Sequence, residues 1–243
     1  MYRNTIEGVN HSATSFTPFT FSCQNFNVYS QLITLGVRNE NIHPHGTVEL
    51  LFRPEKVDDI DFFYQQLSSS ETMVKNFTFE QIDWMRLNKT ALADRFKTIF
   101  MNVEPAALKA EQTSYRIASL VSQYKSIGVK LLIEITERSS EWGNISFQKI
   151  KKLGVDLVLD DYQLNAHNHI SIDQFSPIFS AVKLCIDDYE IGELISIISV
   201  AVNKNMRVVI EKIEDKLQYS LIRDFFPFAL MQGYYIEKPK ILI

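Results

Sequence analysis

The 243-residue chain has 46% hydrophobic and 22% charged residues and a net charge of −4. These values describe a globular protein with one substantial core and exclude a disordered chain. The acidic balance argues against general polyanion binding, which needs a net basic face.

Taken in chain order, Phe16 to Val37 is rich in aromatic and β-branched residues and predicts one or two strands. Asn39 to Gly46 is a polar turn around Pro44, and Val48 to Phe52 is a strand. Asp58 to Leu67 predicts a short helix and Ser68 to Ser70 a loop, followed by a helix over Thr78 to Phe96 with Thr78 as its cap. From there strands and helices alternate. Thr98 to Val103 is a strand, Ala106 to Ile127 a helix ended by Gly128, and Val129 to Ile135 a strand. A helix capped by Asn144 runs to Leu153, ahead of a strand at Val155 to Leu159 and another at Phe179 to Leu184. Tyr189 to Asn203 is a long helix, Arg207 to Ile210 a strand and Lys216 to Phe225 a helix, and the chain closes from Ala229 towards Gln232. Strands separated by helices of this length imply crossover units and a parallel sheet, and about 250 residues is an ordinary length for a closed (β/α) barrel. The expected fold class is therefore α/β, a TIM-like barrel forming one domain over 26–243 after an extension at 1–25.

The strand-like runs end on Asn102, Glu134, Asp160 with Asp161, Lys183, Glu211 and Gln232. In a barrel of parallel strands these carboxyl ends meet at one mouth, so residues distant in sequence can share a site. Carboxylates gathered there repel one another unless cations or a lysine neutralise them. Cys23 and Cys185 are too few for a disulfide framework and read as small core residues. His43 with His45 and His167 with His169 sit in polar loops and read as solvated pairs. Four glycosylation sequons carry no weight without a secretion signal, and no stretch is apolar enough for long enough to cross a bilayer. The expectation is a cytoplasmic protein without membrane or direct nucleic-acid contact.

Several short strings occur together in a fixed order. They are YSQ at Tyr29, ELLFR at Glu49, FMNVEP at Phe100, EITE at Glu134, DDY at Asp160, VKL at Val182, VIEKIE at Val209 and QGYY at Gln232. In that order and spacing the chain resembles the EAL domain family, barrel proteins that hydrolyse the bacterial messenger cyclic di-GMP, over about Phe26 to Pro239. The resemblance implies magnesium or manganese, which suit oxygen-rich ligands. It implies that Glu49, Asn102, Glu134 and Asp160 hold one ion while Asp160 and Asp161 share a second. Lys183 would steady the attacking water, with Glu49 and Glu211 also in the catalytic group. Gln31, Arg53 and Gln232 would contact the nucleotide, and Glu137 and Glu214 would brace the ligands.

The chain departs from the family in places. Where the family has Phe, Gly, Thr, Gly after its aspartate pair, this chain has Tyr162, Gln163, Leu164, Asn165, so both glycines are gone. Leu50 replaces Ala, Pro54 replaces Trp, Cys185 stands where an aspartate is expected, and Lys212 replaces a glycine. Without glycine the loop must take another path, and a shift of Asp161 by about 1 Å would cost on the order of a hundredfold in rate. Two readings follow. In the first, favoured by the altered loop, this is a stand-alone degenerate EAL domain in cyclic di-GMP and motility signalling, with weak or no hydrolysis. It would act by docking on a protein such as a regulator of flagellar transcription. In the second it is a magnesium- or manganese-dependent phosphodiesterase that releases the linear dinucleotide pGpG. A homodimer is compatible with both.

Overall fold

The computed structural model describes residues 26–35, 46–55, 57, 60–136, 145–163 and 172–242. Glu137, the two histidine pairs, Cys23, Asn144 and positions 164–169 of the altered loop lie outside them.

The strands are β1 (Phe26–Leu35), β2 (Gly46–Pro54), β3 (Phe96–Val103), β4 (Lys130–Thr136), β5 (Asp156–Asp160), β6 (Phe179–Cys185), β7 (Arg207–Glu211), β8 (Leu230–Met231) and β9 (Lys240–Ile241). Neighbours from β2 to β8 pair in parallel in sequence order, and β1 closes the barrel by lying between β8 and β2. This is the eight-stranded α/β barrel expected from the alternation. One element differs from a wholly parallel sheet: β1 runs antiparallel to both β2 and β8. β9 pairs with β1 at Tyr29 and Ser30, along the flank where β8 has ended.

The helices are α1 (Ile60–Ser68), α2 (Glu71–Leu87), α3 (Lys89–Arg95), α4 (Glu111–Lys125), α5 (Phe147–Lys152), α6 (Ile172–Phe175), α7 (Ile191–Asn203) and α8 (Lys216–Phe225). The cap expected at Thr78 is at Ser70 instead, whose hydroxyl accepts from the Met73 amide. Thr78 is buried within α2 and donates its hydroxyl to the Val74 carbonyl at 3.0 Å. The apolar stripe begins earlier than Phe79, at Val74 and Phe77, so the helix starts one turn or more upstream. The single helix expected to Phe96 breaks at Asn88, whose side-chain amide donates to the Trp84 carbonyl at 2.9 Å.

Strand periodicity sorts side chains to two faces. Outward residues such as Val48, Leu50 and Phe52, or Ile99, Met101 and Val103, join the large core beneath the helices. Edge-to-face rings pin α2 to the first hairpin, with Phe26 and Phe77 centroids 6.1 Å apart and Phe52 and Trp84 5.5 Å apart. Each such pair contributes about 0.5–1.5 kcal/mol beyond its buried area. Inward residues Ile33, Phe100, Leu132, Val158, Ala181 and Val209, with Leu230 against them, form a separate apolar plug that fills the barrel. No helix among the described residues is long and apolar enough to cross a membrane.

Candidate functional site

The plug fixes the site by parity. Two residues beyond Phe100, Leu132, Val158, Ala181, Val209 and Leu230 stand Asn102, Glu134, Asp160, Lys183, Glu211 and Gln232. A step of two along a strand returns to the same face, so all six project into the barrel one layer above the plug, at its carboxyl end. β1 runs the other way, which places Gln31 at that level from the opposite direction and directly across from Glu49. The antiparallel strand therefore adds Gln31 to a ring otherwise built from carboxyl ends.

Lys183 is the centre of this ring. Its ammonium is 2.7 Å from Glu211, 2.9 Å from Glu134, 2.9 Å from Asp160 and 3.2 Å from Glu49, and it is 1% exposed. Gln232 donates to Glu49 at 2.7 Å and to Gln31 at 3.0 Å, while Asn102 donates to the other Glu49 oxygen at 2.5 Å. Glu49 is thus held at both oxygens. Glu134 is different: it makes an ion pair with Lys183, but neither of its buried oxygens has a hydrogen-bond partner, nor does Asp160 Oδ1.

One ammonium among four carboxylates leaves an excess of negative charge in a region shielded from water. The protonation equilibria reflect this. Burial, reinforced by the charge of Glu49, holds Glu134 well above the usual carboxylate range. Burial also raises Asp160 and pushes Glu211 up to about 8, despite Lys183. Glu49 is held below its ordinary value because Lys183 and the hydrogen bonds from Gln232 and Asn102 outweigh the penalty of burial. Burial opposes the Lys183 ammonium, but its four carboxylates overcome that and keep it protonated.

Asp160, Asp161 and Glu211 each offer an oxygen within 4.8 Å of the others. Three convergent carboxylate oxygens, with further buried oxygens lacking hydrogen bonds beside them, are a donor set for a hard divalent cation. Asp161 stands in this set, directly ahead of the loop that has lost its glycines. Its own backbone takes the left-handed conformation at φ 49°, and Tyr162 is tied back by its amide to the Lys183 carbonyl at 3.3 Å and by its carbonyl to the Tyr189 hydroxyl. Gln163, which would have been strained at positive φ, does not adopt it, and its side chain donates to Asp188 at 3.0 Å.

Above the ring opens a cavity of about 440 Å³ that also takes in Arg53, Glu104, Asp161, Lys212, Glu214 and Tyr234. It extends under α1 and α2 to Ile60, Tyr64, Phe77, Thr78 and Gln81, of which the sequence places Ile60, Tyr64 and Gln81 within helices, Thr78 at a cap and Phe77 ahead of it. No local pattern distinguishes a helix residue that lines a cavity from one that packs on a strand.

A family model for the EAL domain matches residues 65–239. The chain belongs to the EAL domain family. Among solved structures, this EAL domain is similar to the PaMucR phosphodiesterase in complex with c-di-GMP, at 15% identity and a TM-score of 0.66, covering 89% of this chain and 92% of that one. It is similar to the Bacillus subtilis YkuI protein, solved with c-di-GMP and calcium, at 17% identity and a TM-score of 0.67, covering 91% of this chain and 56% of that one. It is also similar to the Pseudomonas aeruginosa FimX EAL domain bound to c-di-GMP, at 14% identity and a TM-score of 0.62, covering 89% of this chain and 91% of that one. At these identities the likeness shows the shared barrel. The chain spans about three fifths of the EAL enzyme Bd1971, which it also resembles. A search of curated protein sequences finds no match.

Proposed function

We propose that this EAL domain binds cyclic di-GMP at the barrel mouth together with magnesium or manganese, hydrolyses it slowly, and acts mainly through a protein partner. The observation that carries the binding half is the convergence of Glu49, Asn102, Asp160, Asp161, Lys183, Glu211 and Gln232 on one cavity from six different strands or strand ends, with Glu134 from a seventh buried against Lys183. The excess of buried carboxylate charge and the oxygens without hydrogen bonds fit a hard cation. When bound, such an ion lowers the pKa of water and neutralises charge on a phosphodiester. Glu49, Asn102, Glu134, Asp160 and Asp161 would hold it, with Lys183 and Glu211 placing water beside it. Gln31, Arg53 and Gln232 would meet the nucleotide, Arg53 because its planar fork matches phosphate oxygens, and Glu214 would brace the rim.

One departure supports slow turnover. Lys212, in left-handed backbone next to Glu211, brings a cation to the cavity where the family has glycine. A regulatory role in motility or biofilm signalling, exerted on a partner such as a flagellar transcription regulator, fits a domain that keeps its ligand pocket but loses rate. The barrel would be the working unit from residue 26 onward, with 1–25 as an extension. A full phosphodiesterase that releases pGpG is the second reading, favoured by the oxygens that Asp160, Asp161 and Glu211 bring within 4.8 Å of one another.

Incubating the purified protein with cyclic di-GMP and manganese, beside Glu49→Ala, separates them. The expected result is tight binding by calorimetry with linear dinucleotide barely above the Glu49→Ala control. Robust turnover would establish the second reading, and no binding would overturn both.

A further inference from the structure

The arm of the cavity beneath α1 and α2 contains polar side chains of two kinds. Thr78 and Tyr64 are engaged by the backbone, their hydroxyls donating to the carbonyls of Val74 at 3.0 Å and Phe52 at 2.6 Å. Gln81 is not engaged. It is 4% exposed and lines the cavity, and its side-chain amide has no hydrogen-bond partner among the described residues. Arg53 lines the same cavity, and among the described residues its guanidinium has neither an ion pair nor a hydrogen bond.

The helix cannot turn Gln81 away. Phe77 and Trp84, about one turn before and after it, pack their rings on Phe26 at 6.1 Å and on Phe52 at 5.5 Å, so the face they share is held against the first hairpin. That face is otherwise apolar, and a leucine at 81 would suit it better than a buried amide without a partner. On β2, Leu51 and Arg53 stand two and four residues beyond Glu49 and share its face, which carries the cavity wall from the carboxylate ring out to Arg53. The rings of Tyr64 and Phe77 and the Ile60 side chain wall the arm. Aromatic and aliphatic walls with a single carboxamide match a flat heteroaromatic ring whose rim carries a donor beside an acceptor. Guanine has such a rim, with N1–H for the carboxamide oxygen and O6 for its NH₂. A phosphate needs cations, and Ile60, Tyr64, Phe77, Thr78 and Gln81 bring none.

We propose that this arm is a subsite for one guanine base of the cyclic dinucleotide, that Gln81 hydrogen-bonds the rim of that base, and that Arg53 meets the phosphate joined to the same nucleoside. The base then supplies the partners that Gln81 lacks within the chain. The proposal rests on the reading of the mouth as a cyclic di-GMP site and adds to it the residue that recognises a base.

The test is calorimetric titration of the full chain with Mn²⁺ alone and with cyclic di-GMP in the presence of Mn²⁺, on the wild type, Gln81→Leu and Gln81→Met, with urea melts of each protein free of ligand. Both substitutions remove the amide at similar volume. Affinity for cyclic di-GMP should fall on the order of tenfold or more in both variants, the usual size of losing hydrogen bonds in a buried site. Affinity for Mn²⁺ should stay within about twofold, because the arm takes no part in the carboxylate ring, and the urea midpoint should be no lower than that of the wild type, because no hydrogen bond within the chain is lost. Unchanged affinity for cyclic di-GMP would overturn the proposal and leave the reading of the mouth standing. So would an equal fall in Mn²⁺ affinity or a clearly lower urea midpoint in both variants, either of which would mark Gln81 as a structural group. No binding of cyclic di-GMP to the wild type would overturn that reading and this proposal with it.

Discussion

On the β2–β4 side of the barrel mouth, Glu49, Asn102 and Glu134 project from unbroken strands whose register and parity leave them no other direction. On the β5–β7 side, Asp161 and Lys212 sit just beyond their strands in left-handed backbone, with a thiol at Cys185 between them. The first side is buried and regular, and its geometry follows from the sheet. The second is more open, and turn contacts hold it in place. The contrast teaches that the sheet alone fixes the side chains of the ring, while Asp161 and Lys212 are placed by turns that the sheet does not control.

The largest test of this contrast is at its hub. Lys183→Ala should destabilise the metal-free protein by about 3–5 kcal/mol at pH 7.5, because it leaves several buried carboxylates without their cation. The loss should shrink at pH 5, where those groups take up protons, and urea melts at the two values would show it. An equal loss at both would mean that Lys183 acts through packing rather than charge.

Gly233→Ala probes how the turn side is held. A Cβ there would lie 2.1 Å from the Ile213 carbonyl oxygen, so the β7 turn carrying Lys212 must move. Destabilisation of about 3 kcal/mol is expected, at the upper end of single substitutions. A melting curve like that of the wild type would show that the turn yields easily.

Gln232→Leu removes the amide that fixes Glu49 against Gln31. Affinity for manganese should fall by about 10–100-fold, the usual effect of losing a group that orients a ligand. Unchanged affinity would mean that Asn102 suffices to orient Glu49.

The raised pKa values of Glu134, Asp160 and Glu211 give a pH dependence of definite sign. A carboxylate that titrates near 8 when folded, as Glu211 does, and near 4.5 when unfolded binds more protons in the native state across that interval. Stability of the metal-free protein should therefore fall as pH rises from about 5 to 8, by at most about 1.4 kcal/mol per pH unit for each such group. Glu49, whose pKa is lowered, contributes in the opposite sense only at acidic pH. Manganese should abolish the fall by replacing the protons. Melting temperatures that rise over this range without metal would contradict the charge balance assigned to the ring.

The smallest effect is expected on the turn side itself. Lys212→Gly removes the left-handed strain but frees the unfolded chain, so the net gain should be under about 1 kcal/mol, measurable by paired denaturant titrations. A clear loss would show that the Lys212 side chain stabilises the fold by its own contacts.

Much of the ring could be read along the chain. Asn102, Glu134, Asp160, Lys183, Glu211 and Gln232 each close a short apolar run, and a barrel of parallel strands brings such ends together for geometric reasons. The helix over 71–87 was mis-started because its cap, Ser70, looks like any other member of a serine run, and only the packing of Val74 and Phe77 shows that the helix has already begun. Tyr64 and Gln81 do not declare themselves as cavity residues because an amphipathic helix presents the same spacing to a pocket as to a core, and Phe77 falls before the expected helix start.

By itself the sequence determined the alternation of strands and helices and which residue types stand at the strand ends, since both depend on local periodicity. Only the tertiary structure decided that β1 runs antiparallel and brings Gln31 to Glu49, that one lysine is surrounded by four carboxylates, and that Asp161 and Lys212 line one cavity from β5 and β7. Those are distances between residues far apart in the chain, and charge, burial and proton affinity depend on such distances rather than on neighbours in sequence.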